Sequence, residues 1–218
     1  MTSGAAAYVP LNTRPYGGHE RLLALAGSPE RALDVGCSTG YLARRLTERG
    51  ATVVGIEADE RAAAEARRVC EEVLVGDVET MELPFRPQSF DLVLCGDLIE
   101  HLRDPDAFLA RVRPLIRPGG RLVLTTPNVA NWTIRLSLLA GRWRYTQRGI
   151  LDSTHVHLFT KRTLEETLER AGYRILELDV TAPVPRVGTP AVERVAHAVA
   201  RLRPSLFAFQ FVVAATPR

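Results

Sequence analysis

No apolar run in this 218-residue chain approaches the roughly 20 residues that a membrane helix needs. The longest, "LFAFQFVVAA" at Leu206–Ala215, falls well short, so no membrane span is expected. Nor does the start, "MTSGAAAYVPLNTRPYGG", show the charged end and apolar stretch of a signal peptide, and the expected location is the cytoplasm. Cysteine is scarce: Cys37, Cys70 and Cys95 are odd in number, widely spaced and without a C-x-x-C pair. That excludes a disulfide framework and a structural zinc site, and fits a reducing compartment. Lysine is almost missing, with Lys161 alone beside 27 arginines. Such a bias points more to a GC-rich genome than to selection for phosphate. Even so, the chain from Arg135 onward carries 13 basic against 7 acidic residues, which suits an anionic acceptor. There is no internal repeat and no low-complexity segment.

What is present is an ordinary globular composition, 46% hydrophobic and 24% charged, sized for one domain over residues 1–218. Short β-branched runs alternate with longer helical patterns, as in a parallel sheet with crossover helices. The strands read "RALDVG", "TVVGIEA", "EEVLVGDV", "FDLVLCGD", "RLVLTTP", "YRILELDV" and "LFAFQFVVAATP". Helices read "YLARRLTERG", "DERAAAEARRV", "DPDAFLARVRPLI", "TKRTLEETLERAG" and "AVERVAHAVARLR", with Asp59 and Thr160 as caps and Gly172 as a stop. The expected fold is therefore α/β, an open doubly wound sheet of seven strands.

Ligands of such sheets bind at the carboxyl ends of the strands. There "LDVGCSTG" supplies Asp34, Gly36 and Gly40, a glycine turn feeding a helix N-terminus. A dinucleotide site wants G-x-G-x-x-G, but the spacing here is G-x-x-x-G. An acid at Asp34 is also wrong beside a pyrophosphate and right beside a cationic ligand, such as a sulfonium bearing an ammonium group. Glu57, at the end of the second strand, can reach ribose hydroxyls in either case.

The ordered set "ALDVGCSTGYLARRL", "VVGIEADE", "LVGDVETMELPF", "FDLVLCGDLIEHLRDP" and "IRPGGRLVLTTPN" resembles the class I S-adenosylmethionine-dependent methyltransferases. The resemblance implies a mostly parallel Rossmann-like sheet with an antiparallel last strand, and S-adenosylmethionine as cofactor. It further implies a core at 31–128, an acceptor-site insertion or lid at about 128–160 and a C-terminal strand pair at 173–216. By the same resemblance Gly36, Cys37, Ser38 and Gly40 wrap the methionine part, with Asp34 ordering the loop. Glu57 takes the ribose hydroxyls and Ala58 lies along the adenine. Asp77 accepts from the adenine amino group, the Val78 amide meets a ring nitrogen, and the backbone at Cys95 and Gly96, with Asp97 nearby, closes over the methionine end. Ser38 departs from the family, which more often has glycine there.

"CGDLIEHL" also resembles the ubiquinone-pathway O-methyltransferases, whose acid-x-x-Glu-His set is associated with a divalent metal. If a helix starts near Asp97, then Asp97, Glu100 and His101 share a face. A helix N-terminus rich in acids explains the same residues without a metal, and is the favoured reading.

"NWTIRLSLLAGRWRYTQRG" interleaves Trp132, Trp143 and Tyr145 with arginines, suiting sugars, nucleotides or phosphates, or else forming an amphipathic lid packed on the sheet. The following "GILDSTHVHLFT" places His155 and His157 on one side of an extended segment, with His155 as first-choice general base and His101 as second. The expected activity is methyl transfer to a small-molecule acceptor, at an oxygen of a hydroxylated metabolite or sugar. Binding of S-adenosylmethionine without transfer, or a protein or nucleic-acid acceptor, are the alternatives. Nucleic acid is not expected, because no N/D-P-P-Y/F tetrapeptide follows the fourth strand. A monomer or homodimer is expected. The N-terminal "LNTRPYGGHERLLALAG" reads as a docking helix rather than a cofactor lid carrying Arg14 or Tyr16.

Overall fold

In a computed structural model, residues 16–182 and 189–218 are described. The elements are α1 (Gly18–Ala26), β1 (Arg31–Val35), α2 (Tyr41–Thr47), β2 (Thr52–Glu57), α3 (Glu60–Ala66), β3 (Glu72–Val75), β4 (Phe90–Gly96) and α4 (Pro105–Val112). They continue with β5 (Ile116–Pro127), α5 (Trp132–Leu139), α6 (Lys161–Arg170), β6 (Tyr173–Thr181), α7 (Pro190–Leu202), α8 (Pro204–Phe207) and β7 (Gln210–Pro217). The seven strands form one sheet in the order β3-β2-β1-β4-β5-β7-β6. β1 to β5 pair in parallel, while β7 runs antiparallel between β5 and β6. This is the expected α/β sheet, with the last strand antiparallel.

The core sits on both faces of the sheet. Along β4, Val93 and Cys95 enter one apolar cluster and Leu92 and Leu94 the other. A strand covered on both faces needs this continuous apolar run, not an alternating one. Crossover helices are fixed at their starts by the residues expected to do so. Asp59 accepts from the Arg61 and Ala62 amides at 2.8 and 3.0 Å, and Thr160 forms a reciprocal capping box with Thr163.

Three expectations fail locally. β7 begins at Gln210, not at Leu206, because Pro204 opens the short turn of helix α8. No helix starts at Asp97: that residue has a φ of 50°, and the segment makes only a turn in which the His101 amide reaches the Leu98 carbonyl at 2.9 Å. Finally, α5 is not laid flat on the sheet. None of its residues is buried, and only its cap Asn131 is. The Pro-rich connection at 183–188 and Arg14 lie outside the described residues.

Candidate active site

The carboxyl ends of β1 to β4 converge on a cleft of about 550 Å³. Gly36, Glu57, Ala58, Asp77, Val78 and Asp97 line it, together with His101, Leu102, Arg103 and Thr154 on its outer side. Gly36 turns the chain away from β1 at a φ of 73°. Its amide and that of Cys37 both donate to the Ile56 carbonyl, at 2.8 and 3.0 Å, so the loop is hung on β2. A Cβ at Gly36 would stand 3.3 Å from Leu98, across the floor of the cleft.

Glu57 organises this loop. Its Oε2 accepts from the Ser38 amide at 2.8 Å and its Oε1 from the Asp59 amide at 2.9 Å. Each carboxylate oxygen keeps further lone-pair capacity, so two hydroxyls can still be received. Ser38 adopts a φ of 52°, which is the left-handed region that favours glycine.

Behind the loop, Asp34 is 1% exposed and its Oδ2 has no hydrogen-bond partner among the described residues. Burial, aided by the charge of Glu57, pushes its carboxyl up to about 7. An acid so placed calls for a cation or a donor to complete it.

The outer wall of the cleft is braced by residues the sequence reading missed. The Arg111 guanidinium donates to the carbonyls of Val78 and Glu79 at 2.9 and 2.8 Å. Glu79 in turn accepts from the Arg103 and Asp104 amides at 2.8 and 2.9 Å. Asp97 is held by two residues distant in sequence: Thr125 Oγ1 and Gln210 Nε2 both donate to its Oδ1 at 2.8 Å. No local pattern announces Gln210, which arrives on the last strand.

Several of the expected loop residues also pack the fold. Gly40 carries a packing role. It holds a φ of 79° at the start of α2, and a Cβ there would meet the Ala66 backbone at 3.1 Å, so it serves helix packing. The Cys37 side chain is buried in the core, where its hydrogen bond with Cys70 and then burial push the thiol up. Cys95 is fully buried and its thiol is likewise pushed up by burial. Gly96 packs its Cα side toward Leu42 and Leu22. For these residues only backbone atoms remain to meet a ligand.

Beside the cleft, the His101 and His155 rings meet edge to face with centroids 4.9 Å apart. His155 Nδ1 lies 3.1 Å from the Ile150 carbonyl, and His101 Nδ1 lies 3.2 Å from that of Thr154. Burial holds the His155 imidazole below its ordinary range. His157 does not share its side. Its Nε2 sits 3.0 Å from the Arg103 carbonyl, and the amides of Val156 and His157 both donate to the Glu100 carbonyl at 2.8 and 3.0 Å. The segment is a folded loop, so the alternation of an extended strand does not apply.

Glu100 lies beneath the histidines, 1% exposed, and neither of its carboxylate oxygens has a well-formed hydrogen bond among the described residues. Burial, and next the charge of Asp97, drive its carboxyl well above the ordinary range. One ligand atom each from Glu100, His101 and His155 lie within 4.8 Å of one another. The trio that the sequence offers, and to which the metal-free reading is preferred, has Asp97 in place of His155. The turn at Asp97 sends that carboxylate to Thr125 and Gln210 instead. At the N-terminus, the Tyr16 ring packs on His197 at 4.7 Å.

A glycine turn under a ribose-competent acid, at the carboxyl edge of a sheet in this strand order, defines a class I S-adenosylmethionine-dependent methyltransferase. Residues 12–178 match the family model described as "Methyltransferase domain", and the chain belongs to that family. A ubiquinone biosynthesis O-methyltransferase of Acinetobacter baumannii strain AYE is 28% identical over 167 residues, covering 73% of this chain and 69% of that protein. One of the same name from Rhodopseudomonas palustris strain BisB18 is 34% identical over 128 residues, covering 57% and 50%. The fold is shared with a solved S-adenosylmethionine-dependent methyltransferase from Mesorhizobium loti, at a TM-score of 0.64 and 20% identity over 93% and 98% of the two chains. Among the described residues, no helix is long and apolar enough to cross a membrane.

Proposed function

We propose that the chain transfers the methyl group of S-adenosylmethionine to an oxygen of a small hydroxylated acceptor. Glu57 takes the ribose hydroxyls, Asp77 and Val78 the adenine edge, and Asp34 with the Gly36–Ser38 backbone the methionine end. The transfer is an in-line displacement on the sulfonium methyl: the oxygen–carbon bond forms as the sulfur–carbon bond breaks, leaving S-adenosylhomocysteine. Catalysis then consists mainly of alignment and of a base for the hydroxyl proton. His155 is that base, with His101 beside it. The observation that carries this reading is the imidazole pair, its rings 4.9 Å apart, of which His101 lines the cofactor cleft and His155 packs against it. Relatives named for O-methylation support an oxygen acceptor. Labelled cofactor incubated with hydroxylated acceptors tests it. Wild-type kcat in both His155→Ala and His101→Ala on the acceptor found would overturn the base assignment.

A second reading rests on Glu100. Its unpaired buried carboxylate, with two imidazoles in ligand range, fits the donor set of a divalent cation. Glu100, His101 and His155 would hold it, and such an ion lowers the pKa of a bound hydroxyl when present. Calorimetric titration with Mg²⁺, Mn²⁺ and Zn²⁺ decides, because Glu100→Gln abolishes heat of binding only in this reading. Turnover unaffected by a chelator keeps the metal-free one.

A further inference from the structure

Helix α7 is amphipathic in reverse. Its buried positions are Glu193, His197 and Ala200, two of them polar. His197 reaches Asp179 on β6 at 3.4 Å, an acid already paired with Arg21. The outward positions are Val192, Val195, Val199 and Leu202, exposed by 49, 63, 41 and 79%. Their spacing of three, four and three residues aligns them as one stripe along the helix.

Helix α5 repeats the pattern. It buries nothing, and Trp132, Leu136 and Leu139 stand 43, 55 and 84% exposed. The two helices share a frame. The side-chain amides of Asn128 and Asn131 donate to the Ala208 carbonyl at 3.0 and 2.8 Å, and Arg135 reaches the Ser205 carbonyl at 3.5 Å. The start of α5 is thereby tied to the segment that leaves the end of α7.

We propose that α7 and α5 form a foot that rests on a bilayer surface bearing anionic headgroups. Charge selects this occupant. The exposed charges of α7 and its end are Arg194, Arg201 and Arg203, while the one acid after Asp179, Glu193, is turned inward. Between Asp106 and Asp152 the chain has no acid at all, and α5 is followed by Arg142, Arg144 and Arg148. Trp143 and Tyr145 accompany those arginines, the pairing suited to the headgroup level. An interfacial helix needs an apolar stripe for the acyl boundary and flanking cations for anionic lipid. A second copy is disfavoured, because a two-fold contact would set arginine rows of like charge against each other.

The test is co-sedimentation of the full chain with phosphatidylcholine vesicles, with and without phosphatidylglycerol. The protein is expected to pellet with the phosphatidylglycerol vesicles, to stay soluble with phosphatidylcholine alone, and to be released by high salt. Val195→Gln with Val199→Gln, and separately Arg194→Glu with Arg203→Glu, should each lower partitioning about tenfold or more. S-adenosylhomocysteine should raise their melting temperature as it does for the wild type, which shows that the fold survives. No pelleting with phosphatidylglycerol, or wild-type pelleting by both double variants, overturns the proposal. Vesicle-free dimerisation sensitive to the valine changes would overturn it in favour of a second copy. Binding to polyglutamate as tight as to vesicles would do so in favour of an acidic protein.

Discussion

The Ser38 amide donates to Glu57 Oε2 across 2.8 Å, so the loop after β1 is shaped by a carboxylate at the end of β2. A change at Glu57 therefore acts twice, on the ligand and on the loop. Glu57→Ala should weaken S-adenosylhomocysteine binding tenfold or more, about 2 kcal/mol for charged hydrogen bonds. It should also lower stability, since the Ser38 and Asp59 amides lose their acceptor. Glu57→Gln keeps one acceptor oxygen and should fall between. Calorimetric binding and urea melts on the three proteins separate the two effects.

Asp34 makes the ligand-free protein sensitive to pH. Its carboxyl rises from 3.8 to about 7, and the groups facing it include Glu57, Tyr41, Cys37 and Cys95. With the folded value above the unfolded one, stability is full below about pH 4 and is lost as pH climbs through 7. The span corresponds to about 4 kcal/mol at most. Asp34→Asn escapes this loss. The variant should match the wild type near pH 4 and become progressively more stable up to pH 8, while losing cofactor affinity. A gap in melting temperature that does not widen with pH would contradict the assignment.

His155→Ala should reduce kcat by about 10²–10⁴-fold with little change in cofactor affinity, as expected for a lost base. His101→Ala should cost less, because His101 is the second-choice base, its ring flanking that of His155. Single-turnover rates at saturating cofactor distinguish a slower chemical step from weaker acceptor binding.

Two neighbouring positions with positive φ should respond in opposite directions. Ser38, at 52°, gains from glycine, and Ser38→Gly should stabilise the chain by up to about 1 kcal/mol. Gly40, at 79° and facing the Ala66 backbone at 3.1 Å, has no room for a methyl group, and Gly40→Ala should destabilise it by about 1–3 kcal/mol. Chemical denaturation of both variants measures the pair.

The sheet was legible because its signals are local: apolar runs for β1 to β5, a cap at Asp59 and a stop at Gly172. The cleft floor was legible for a related reason, since Glu57 ends β2 while Gly36 and Asp77 stand just past the ends of β1 and β3. What eluded the sequence depends on pairings across the chain. Asp97 looked like a helix start, but Thr125 and Gln210 claim its carboxylate and hold a left-handed turn. Glu100 looked like one acid of a helix N-terminus, sharing a face with Asp97 and His101. Its side chain instead sits beneath His155, a residue brought there by a loop no periodicity describes. Hydrophobic patterning at α5 allowed a helix packed on the sheet, but its apolar residues face outward.

The carbonyl of Glu100 receives two amides, from Val156 and His157, on the far side of a long insertion. One oxygen thus couples the wall that would grip the cofactor to the loop that would choose the acceptor. An engineer seeking a new acceptor by transplanting residues 149–160 would find the loop inseparable from its docking turn. The exchangeable module comprises both segments, Asp97 to His101 travelling with the loop, and a chimera that moves only one would misplace the histidines it was meant to keep.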